Sequence, residues 1–114
     1  MATLGELERA IMDLLWRDDV SLSAYDLQEA LADRKLAPTT ILTVLSRLEA
    51  KGFVIRDRRS RPHLYAAAAT REDHMAELMH EVLGGASDRV AVLERFVGQV
   101  SRVEAETLRR LLGS

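Results

Sequence analysis

The sequence predicts a mainly α-helical fold in which three helices and a small β-hairpin are followed by three further helices. Apolar residues recur every three or four positions in six separate stretches, which is the spacing of one face of an α-helix. Between the third and fourth stretches, the pattern changes to short β-branched runs around a basic turn, which is typical of a hairpin. We place the domain boundary after the hairpin, giving domains at 1–69 and 70–114.

The composition of the 114 residues excludes several classes of protein. The absence of cysteine excludes a disulfide scaffold, a thiolate zinc site and a cysteine nucleophile. The sequence has neither a run of 18 apolar residues nor a signal-peptide pattern. We therefore expect a soluble, cytoplasmic protein without a membrane partner.

The first helix is expected at about residues 4–17. Thr3 and Glu6 have the spacing of a capping box. Its apolar face consists of Leu4, Leu7, Ile11, Leu14 and Leu15. Trp16 continues this face, and we interpret it as a core anchor rather than a ligand platform.

The second helix is expected at about residues 24–33, after a turn and a very short edge strand. Ser23 and Asp26 again have capping-box spacing. A link of only three residues, 34–36, leads into the next helix. Two helices joined by so tight a link predict a helix-turn-helix.

The third helix has clearly marked ends. Pro38 suits the first helical position and Gly52 suits the left-handed residue after the last one, while Ala37 is a weak N-cap. The face predicted to pack consists of Ile41, Val44, Leu45 and Leu48. The opposite face carries Thr39, Leu42, Thr43, Ser46 and Arg47.

This outward face is typical of a helix that enters the major groove of DNA. Short hydroxyl side chains allow close approach to phosphates and base edges, and Arg47 can reach a guanine edge or a phosphate. The alternative is that the threonines only decorate a surface helix of a bundle. The residues that follow favour the DNA-binding interpretation.

Residues 53–67 are interpreted as the hairpin, with Arg58, Arg59 and Arg61 at its tip. A basic hairpin directly after the recognition helix is the wing of a winged helix-turn-helix, and it can contact the backbone or the minor groove. Residues 34–65 hold eight basic and two acidic residues, a net +6, whereas the remainder holds eight basic and sixteen acidic residues, a net −8. The overall charge of −2 thus conceals a basic centre.

The last three helices are amphipathic, and little of the chain remains to cover them. Thr70 is a plausible N-cap for the fourth helix, Gly84 and Gly85 end it, and Ser101 with Glu104 caps the sixth. We assign Val100 to the fifth helix. The simplest cover is the same surface of a second copy, which makes this region a dimerisation domain. The expected interface residues are Met75, Leu78, Met79, Val82, Phe96, Val97, Val100, Val103, Leu108 and Leu111.

The sequence shows no catalytic site, metal site or cofactor motif. His63, His74 and His80 do not have the spacing of a metal or catalytic set, and there is neither an HExxH pattern nor a glycine-rich phosphate loop. We therefore expect neither an enzyme nor a bound cofactor. A metal sensor that uses His74 with nearby carboxylates is a weaker alternative.

The stretches TLGELERAIMDLLW and APTTILTVLSRLEAKGFVIR, with the arginine-rich wing ending in Tyr65, resemble the BlaI/MecI penicillinase-repressor family, in particular its actinobacterial members. The resemblance extends over nearly the whole chain. It implies a homodimeric repressor that binds double-stranded DNA at an inverted-repeat operator, commonly of β-lactamase or related stress genes, and so takes part in antibiotic resistance. By motif position, the DNA-contacting residues would be Thr39, Thr40, Leu42, Thr43, Arg47, Arg58, Arg59 and Arg61.

The resemblance also carries expectations about specificity and release. Leu42 stands where some relatives have a basic residue, and it could contact a thymine methyl group instead. A sensor-protease pathway inactivates members by cleavage before a phenylalanine, for which Arg95–Phe96 is the candidate bond, although staphylococcal members have asparagine in place of Arg95. The copper-responsive branch uses C-terminal cysteines, which this chain lacks.

Two alternatives remain open from the sequence. The first is a winged-helix module that binds protein and not DNA. The second is a repressor that is released by a small ligand or a metal instead of proteolysis.

Overall fold

The structure is a computed structural model that describes residues 4–113. Within that range it has six α-helices and one three-stranded antiparallel sheet, which confirms the predicted mainly α, winged helix-turn-helix fold. The helices are α1 (Glu6–Asp18), α2 (Ala24–Ala30), α3 (Pro38–Ala50), α4 (Arg71–Gly84), α5 (Arg89–Val97) and α6 (Arg102–Leu111). The strands are β1 (Leu22–Ser23), β2 (Val54–Asp57) and β3 (Leu64–Ala67).

The chain divides into two compact units, Met1–Met75 and Ala76–Ser114. The first unit contains α1 to α3, the sheet and the first turn of α4, and we call it the winged-helix unit. The second contains the remainder of α4 with α5 and α6, and we call it the C-terminal unit. The domain boundary predicted between residues 69 and 70 lies just before α4, and it stays a prediction.

Helix α1 begins two residues later than predicted. Its N-cap is Gly5, whose N–H donates a 2.7 Å hydrogen bond to Oε1 of Glu8 in the first turn. The predicted cap residue Thr3 lies outside the described residues. Because a carboxylate three residues after the cap can satisfy the free N–H of the cap residue, Glu8 fixes the start of the helix at Glu6.

Helix α2 has the predicted start but a different end. Ser23 Oγ accepts from the Asp26 N–H, and an Asp26 carboxylate oxygen accepts from the Ser23 N–H, both at 3.0 Å, which confirms the capping box. The α-helix ends at Ala30 instead of near residue 33, and a 3₁₀ turn at Ala32–Arg34 follows. The last predicted turn therefore forms with the tighter hydrogen bonding that is common at helix ends.

Helix α3 has the predicted ends. Pro38 is its first residue, Ala37 is an N-cap without a side-chain bond, and Gly52 has a φ of +85° after the helix. A side chain at Gly52 would be strained because this region of φ favours glycine. The predicted packing face is confirmed, since Ile41, Val44, Leu45 and Leu48 are all buried.

The hairpin is confirmed within residues 53–67. Strand β3 lies in the middle of the sheet and pairs antiparallel with both neighbours. The register places Tyr65 opposite both Leu22 of β1 and Arg56 of β2. The turn between β2 and β3, residues 58–63, forms the tip of the wing.

One aliphatic core holds the winged-helix unit together. It draws on α1, α2, α3 and two strands, so the recognition helix is fixed to all the other elements of the helix-turn-helix. Its buried members are Ile11, Met12, Leu15, Leu27, Leu31, Ile41, Val44, Leu45, Leu48, Val54 and Tyr65. Trp16 packs against this core as predicted.

The first turn of α4 belongs to the winged-helix unit. Thr70 is its N-cap as predicted, because the Thr70 hydroxyl accepts from the Asp73 N–H at 3.0 Å. One turn later, the His74 ring is buried, stacks on Trp16 at a centroid distance of 5.4 Å and meets the edge of Phe53 at 5.2 Å. An aromatic cluster thus attaches the start of α4 to α1 and to the residue before β2.

The C-terminal unit consists mainly of short capped helices. Ser101 and Glu104 form the predicted capping box of α6, with bonds of 2.8 and 3.2 Å. Helix α5 is capped by Asp88, which accepts from the Ala91 N–H at 3.1 Å and was not singled out from the sequence. The assignment of Val100 to α5 was wrong, because that helix ends at Val97 and Val100 lies in the turn before α6.

Candidate nucleic-acid interface

The outward face of α3 is open to solvent as the sequence suggested. Its threonine, serine and arginine side chains point away from the core, on the side opposite Leu45 and Leu48. The exposed residues are Thr39, Leu42, Thr43, Ser46 and Arg47, and Thr40 is half-buried. All six residues expected to contact DNA from this helix therefore retain some solvent access.

The Thr43 hydroxyl donates its one proton within its own helix. It donates a 2.8 Å hydrogen bond to the carbonyl oxygen of Thr39, one turn earlier in the same helix. A hydroxyl has one proton to donate and two acceptor positions, so in this rotamer Thr43 can only accept further bonds. That chemistry suits the amino group of adenine or cytosine better than a phosphate.

A shallow depression lies between this face and the start of α1. It is lined by 5–8 from α1 and its cap, together with Thr39, Thr40, Thr43, Val44 and Arg47 from α3. Glu8 is among the residues that line it and is only 7% exposed. A carboxylate near a face that binds DNA would repel phosphate unless a cation neutralises it. The group that pairs with Glu8 therefore matters for this face.

That partner is Lys51 at the end of α3. Lys51 Nζ lies 2.8 and 2.9 Å from the two carboxylate oxygens of Glu8. Burial raises the pKa of Glu8, but hydrogen bonds from Lys51 and from the Gly5 N–H more than offset this and hold the pKa below its ordinary value. Glu8 is thus ionised at neutral pH, and its contact with Lys51 attaches the start of α1 to the end of α3.

The wing tip is ordered by its own hydrogen bonds. Asp57 Oδ1 accepts from both the backbone N–H and the guanidinium of Arg59, at 3.0 and 3.3 Å, and these bonds lower the pKa of Asp57. The Arg61 guanidinium donates to the carbonyl oxygens of Arg58 and Ser60. The side chains of Arg58 and Arg59 remain 64% and 93% exposed, so both can reach a phosphate.

A second carboxylate, Glu49, joins the recognition helix to the wing. It accepts from Arg56 of β2 through both of its oxygens, and Arg58 Nη2 lies 3.3 Å from Oε2. The bond from Arg56 is the main cause that lowers the pKa of Glu49, and the same bond raises the pKa of Arg56. The Arg56 guanidinium also lies 5.6 Å from the centre of the Tyr65 ring.

The basic centre counted from the sequence is therefore smaller on the surface. Five of its eight cations pair with carboxylates of the same chain. Arg58 and Arg59 pair with Glu49 and Asp57 at 3.3 Å and stay exposed, and three others are held at shorter distances: Arg34 by Glu6, Lys51 by Glu8 and Arg56 by Glu49. Sequence reasoning missed these pairs because the partners lie 28, 43 and 7 residues apart, outside the helical spacings that reveal ion pairs. Of the cations predicted to contact DNA, Arg47 and the wing-tip arginines are exposed.

The residues expected at a dimer interface are mostly exposed in the single chain. Leu78, Val100 and Leu108 are half-buried, and the other seven are exposed: Met75, Met79, Val82, Phe96, Val97, Val103 and Leu111. Met75 is the last residue of the winged-helix unit and the other nine lie in the C-terminal unit, which also contains the exposed apolar residues Val90, Val92, Leu93 and Leu112. The Arg95–Phe96 bond lies in the last turn of α5.

No group of three metal-ligating side chains occurs within residues 4–113. The imidazole nitrogens of His74 have no hydrogen-bond partner among the described residues. None of the helices in that range is long and apolar enough to cross a membrane.

Comparison with known proteins gives consistent results. The model of the penicillinase repressor family matches residues 4–114. Proteins described as transcriptional regulator BlaI from two strains of Mycobacterium tuberculosis are each 42% identical over 116 residues, which covers 98% of this chain and 84% of the relative. A MarR family protein from Bacillus stearothermophilus has a TM-score of 0.54 at 18% identity, over 97% of this chain and 71% of that chain. At that identity the structural likeness shows the fold alone.

Proposed function

Because the chain belongs to the penicillinase-repressor family of transcriptional regulators, which are not enzymes, we propose that it is a dimeric repressor of an inverted-repeat operator. The observation that carries the proposal is the exposed threonine and arginine face of α3, fixed by a closed core beside a basic wing. Thr39, Thr43 and Arg47 would enter the major groove, and the arginines of the wing tip would contact the flanking backbone.

Dimerisation would place two recognition helices on one duplex. The exposed apolar residues of the C-terminal unit support a second copy as the cover, because a patch of this kind marks an interaction site on a soluble protein. In a two-fold dimer both copies use the same surface, so the operator would contain two half-sites of opposite orientation.

The regulated genes are proposed to be those of a β-lactamase or a related stress response, and the protein would act in the cytoplasm. Release would follow cleavage at Arg95–Phe96 through a sensor-protease pathway. Since this bond lies in the last turn of α5, where the Gly98 N–H bonds the Glu94 carbonyl at 3.1 Å, the turn would have to unwind before it is cut.

The test is selection from a random duplex library followed by gel-shift titration at several salt concentrations. We expect enrichment of a sequence with dyad symmetry and binding that weakens steeply with salt, because each phosphate contact releases counterions. Specific affinity within about tenfold of that for random DNA would contradict the proposal, since regulators usually discriminate by about 10³ or more.

Arg47→Ala and Thr43→Ala distinguish a repressor from a winged-helix module that binds protein. In a repressor, each residue that contacts a base should cost about 1–3 kcal/mol of operator binding and relax the preference at one base pair. Thr107→Ala is the matched control, because its hydroxyl also bonds its own helix one turn earlier but lies on α6. Equal operator affinity in all three variants would favour the protein-binding module.

A further inference from the structure

Glu49 is the only described carboxylate of α3, and it lies two residues after the outward-facing Arg47. Its side chain is 28% exposed and bridges two elements of the wing, Arg56 on β2 and Arg58 at the start of the turn. On a surface that binds phosphate, a carboxylate opposes association. The carboxylate of Glu49, close to Arg47 and Arg58, should therefore contribute something other than affinity for DNA.

The two arginines have different roles in this bridge. Arg56 is 20% exposed and lies over the Tyr65 ring, and Tyr65 belongs to the core. Arg58 is 64% exposed and can turn toward solvent or DNA. Glu49 thus holds an exposed wing-tip cation beside a more buried one that packs on the core.

We propose that Glu49 is a positioning residue that sets DNA specificity by fixing the wing relative to the recognition helix. This inference rests on the proposed function and adds to it the residue that couples its two DNA-contacting parts. A wing fixed to α3 meets the phosphate backbone only when α3 lies in the correct register in the groove. A released wing follows the backbone of any sequence, so non-specific binding gains more than specific binding.

Glu49→Gln tests the proposal because it keeps the size of the side chain and removes its charge. On random duplex, binding should tighten, and the slope of log affinity against log salt should steepen by about 0.9, as one more cation meets phosphate. On the selected operator, the gain should be smaller because the wing is no longer held. The ratio of operator affinity to random-duplex affinity should fall by about tenfold.

Asp57→Asn is the matched control. It also removes one negative charge from the wing, but the Asp57 carboxylate contacts Arg59 and Ser60 and not α3. Both affinities should rise together, so their ratio should stay within about twofold of wild type. A fall in the ratio as large as that of Glu49→Gln would mean that charge alone is responsible, and it would overturn the proposal.

Arg58→Gln removes the other end of the bridge and keeps the proposal testable if Glu49→Gln folds poorly. The ratio should fall in Arg58→Gln too, and adding Glu49→Gln to that variant should change it by less than about twofold, because Glu49 acts through Arg58. If the ratio of operator affinity to random-duplex affinity were the same in Glu49→Gln and wild type, the inference about Glu49 would be overturned and the proposed function would stand. If the wild-type protein enriches no sequence from the library, the proposed function fails with it.

Discussion

The winged-helix unit and the C-terminal unit differ in whether their apolar residues are buried or exposed. In the winged-helix unit, eleven apolar residues close into one core drawn from helices and strands. In the C-terminal unit, neither α5 nor α6 has a buried residue, and Phe96, Val103 and Leu111 are exposed. One unit therefore buries its apolar residues within itself, whereas the other leaves an apolar surface that the proposed dimer would cover.

The difference has a functional meaning. Under the proposed function, a surface that reads DNA needs a fixed shape, which the packing of α3 into the core would provide. A surface that holds two copies together needs to be buried only when the dimer forms. If so, the two units should respond differently to the same kind of substitution.

Leu45→Ala should show the largest effect on folding. Leu45 is fully buried in the winged-helix unit, and its truncation leaves a cavity, which should lower the free energy of unfolding by about 2–5 kcal/mol. Leu93→Ala removes the same atoms from an exposed position of α5, and at concentrations where the chain is monomeric it should change stability by less than about 0.5 kcal/mol. Urea unfolding followed by circular dichroism measures both. Equal losses would contradict the distinction between the units.

Phe96→Asp should have the next largest effect, on association rather than folding. A charge in the apolar face of α5 would be buried without a partner in the dimer, and the dissociation constant should rise by about a hundredfold or more. Ile55→Asp places the same charge on an exposed apolar position of β2 in the winged-helix unit and should leave the dimer intact. Analytical ultracentrifugation distinguishes the two. If Ile55→Asp dissociated the dimer and Phe96→Asp did not, the interface would lie at the sheet and not at α5.

The sequence predicted the elements that depend on local spacing. Pro38 and Gly52 mark the ends of α3, and the capping boxes at Ser23 and Ser101 appear where the spacing placed them. Each of these signals involves residues within a few positions of one another. Local hydrogen bonding and the helical period are enough to produce them.

The missed ion pair of the winged-helix unit depends on a contact between distant parts of the chain, whereas the end of α5 was missed for a local reason. Glu8 and Lys51 are 43 residues apart, and nothing in either stretch marks them as partners. The end of α5 at Val97 was missed because the apolar period continues to Val100 while the backbone turns. The candidate DNA face could be predicted because its residues lie on one helix, but the carboxylates that bind its cations could not.

Glu8→Gln tests whether the winged-helix unit depends on the ion pair between the buried Glu8 and the partly exposed Lys51. The lowered pKa of Glu8 means that its contribution to stability is present above the ordinary glutamate pKa and is lost as the pH falls through the lowered value. At pH 7 the variant should be about 1–2 kcal/mol less stable than wild type, and the two should converge in acid. Glu6→Gln, which breaks a more exposed pair with Arg34, should show a smaller loss. A difference that is constant from pH 7 to pH 3 would exclude the ion pair as its source.

The smallest effect is expected at His74, where α4 leaves the core of the winged-helix unit. Its ring is 5% exposed between Trp16 and Phe53, and neither nitrogen has a hydrogen-bond partner among the described residues. A buried polar group without a partner costs stability, so His74→Phe should raise the free energy of unfolding by about 1 kcal/mol while keeping the aromatic contacts. His80→Phe, on the same helix but exposed, is the matched control and should leave stability unchanged. Thermal unfolding at pH 8 compares the two, and a loss of stability in His74→Phe would show that the imidazole nitrogens are satisfied in solution.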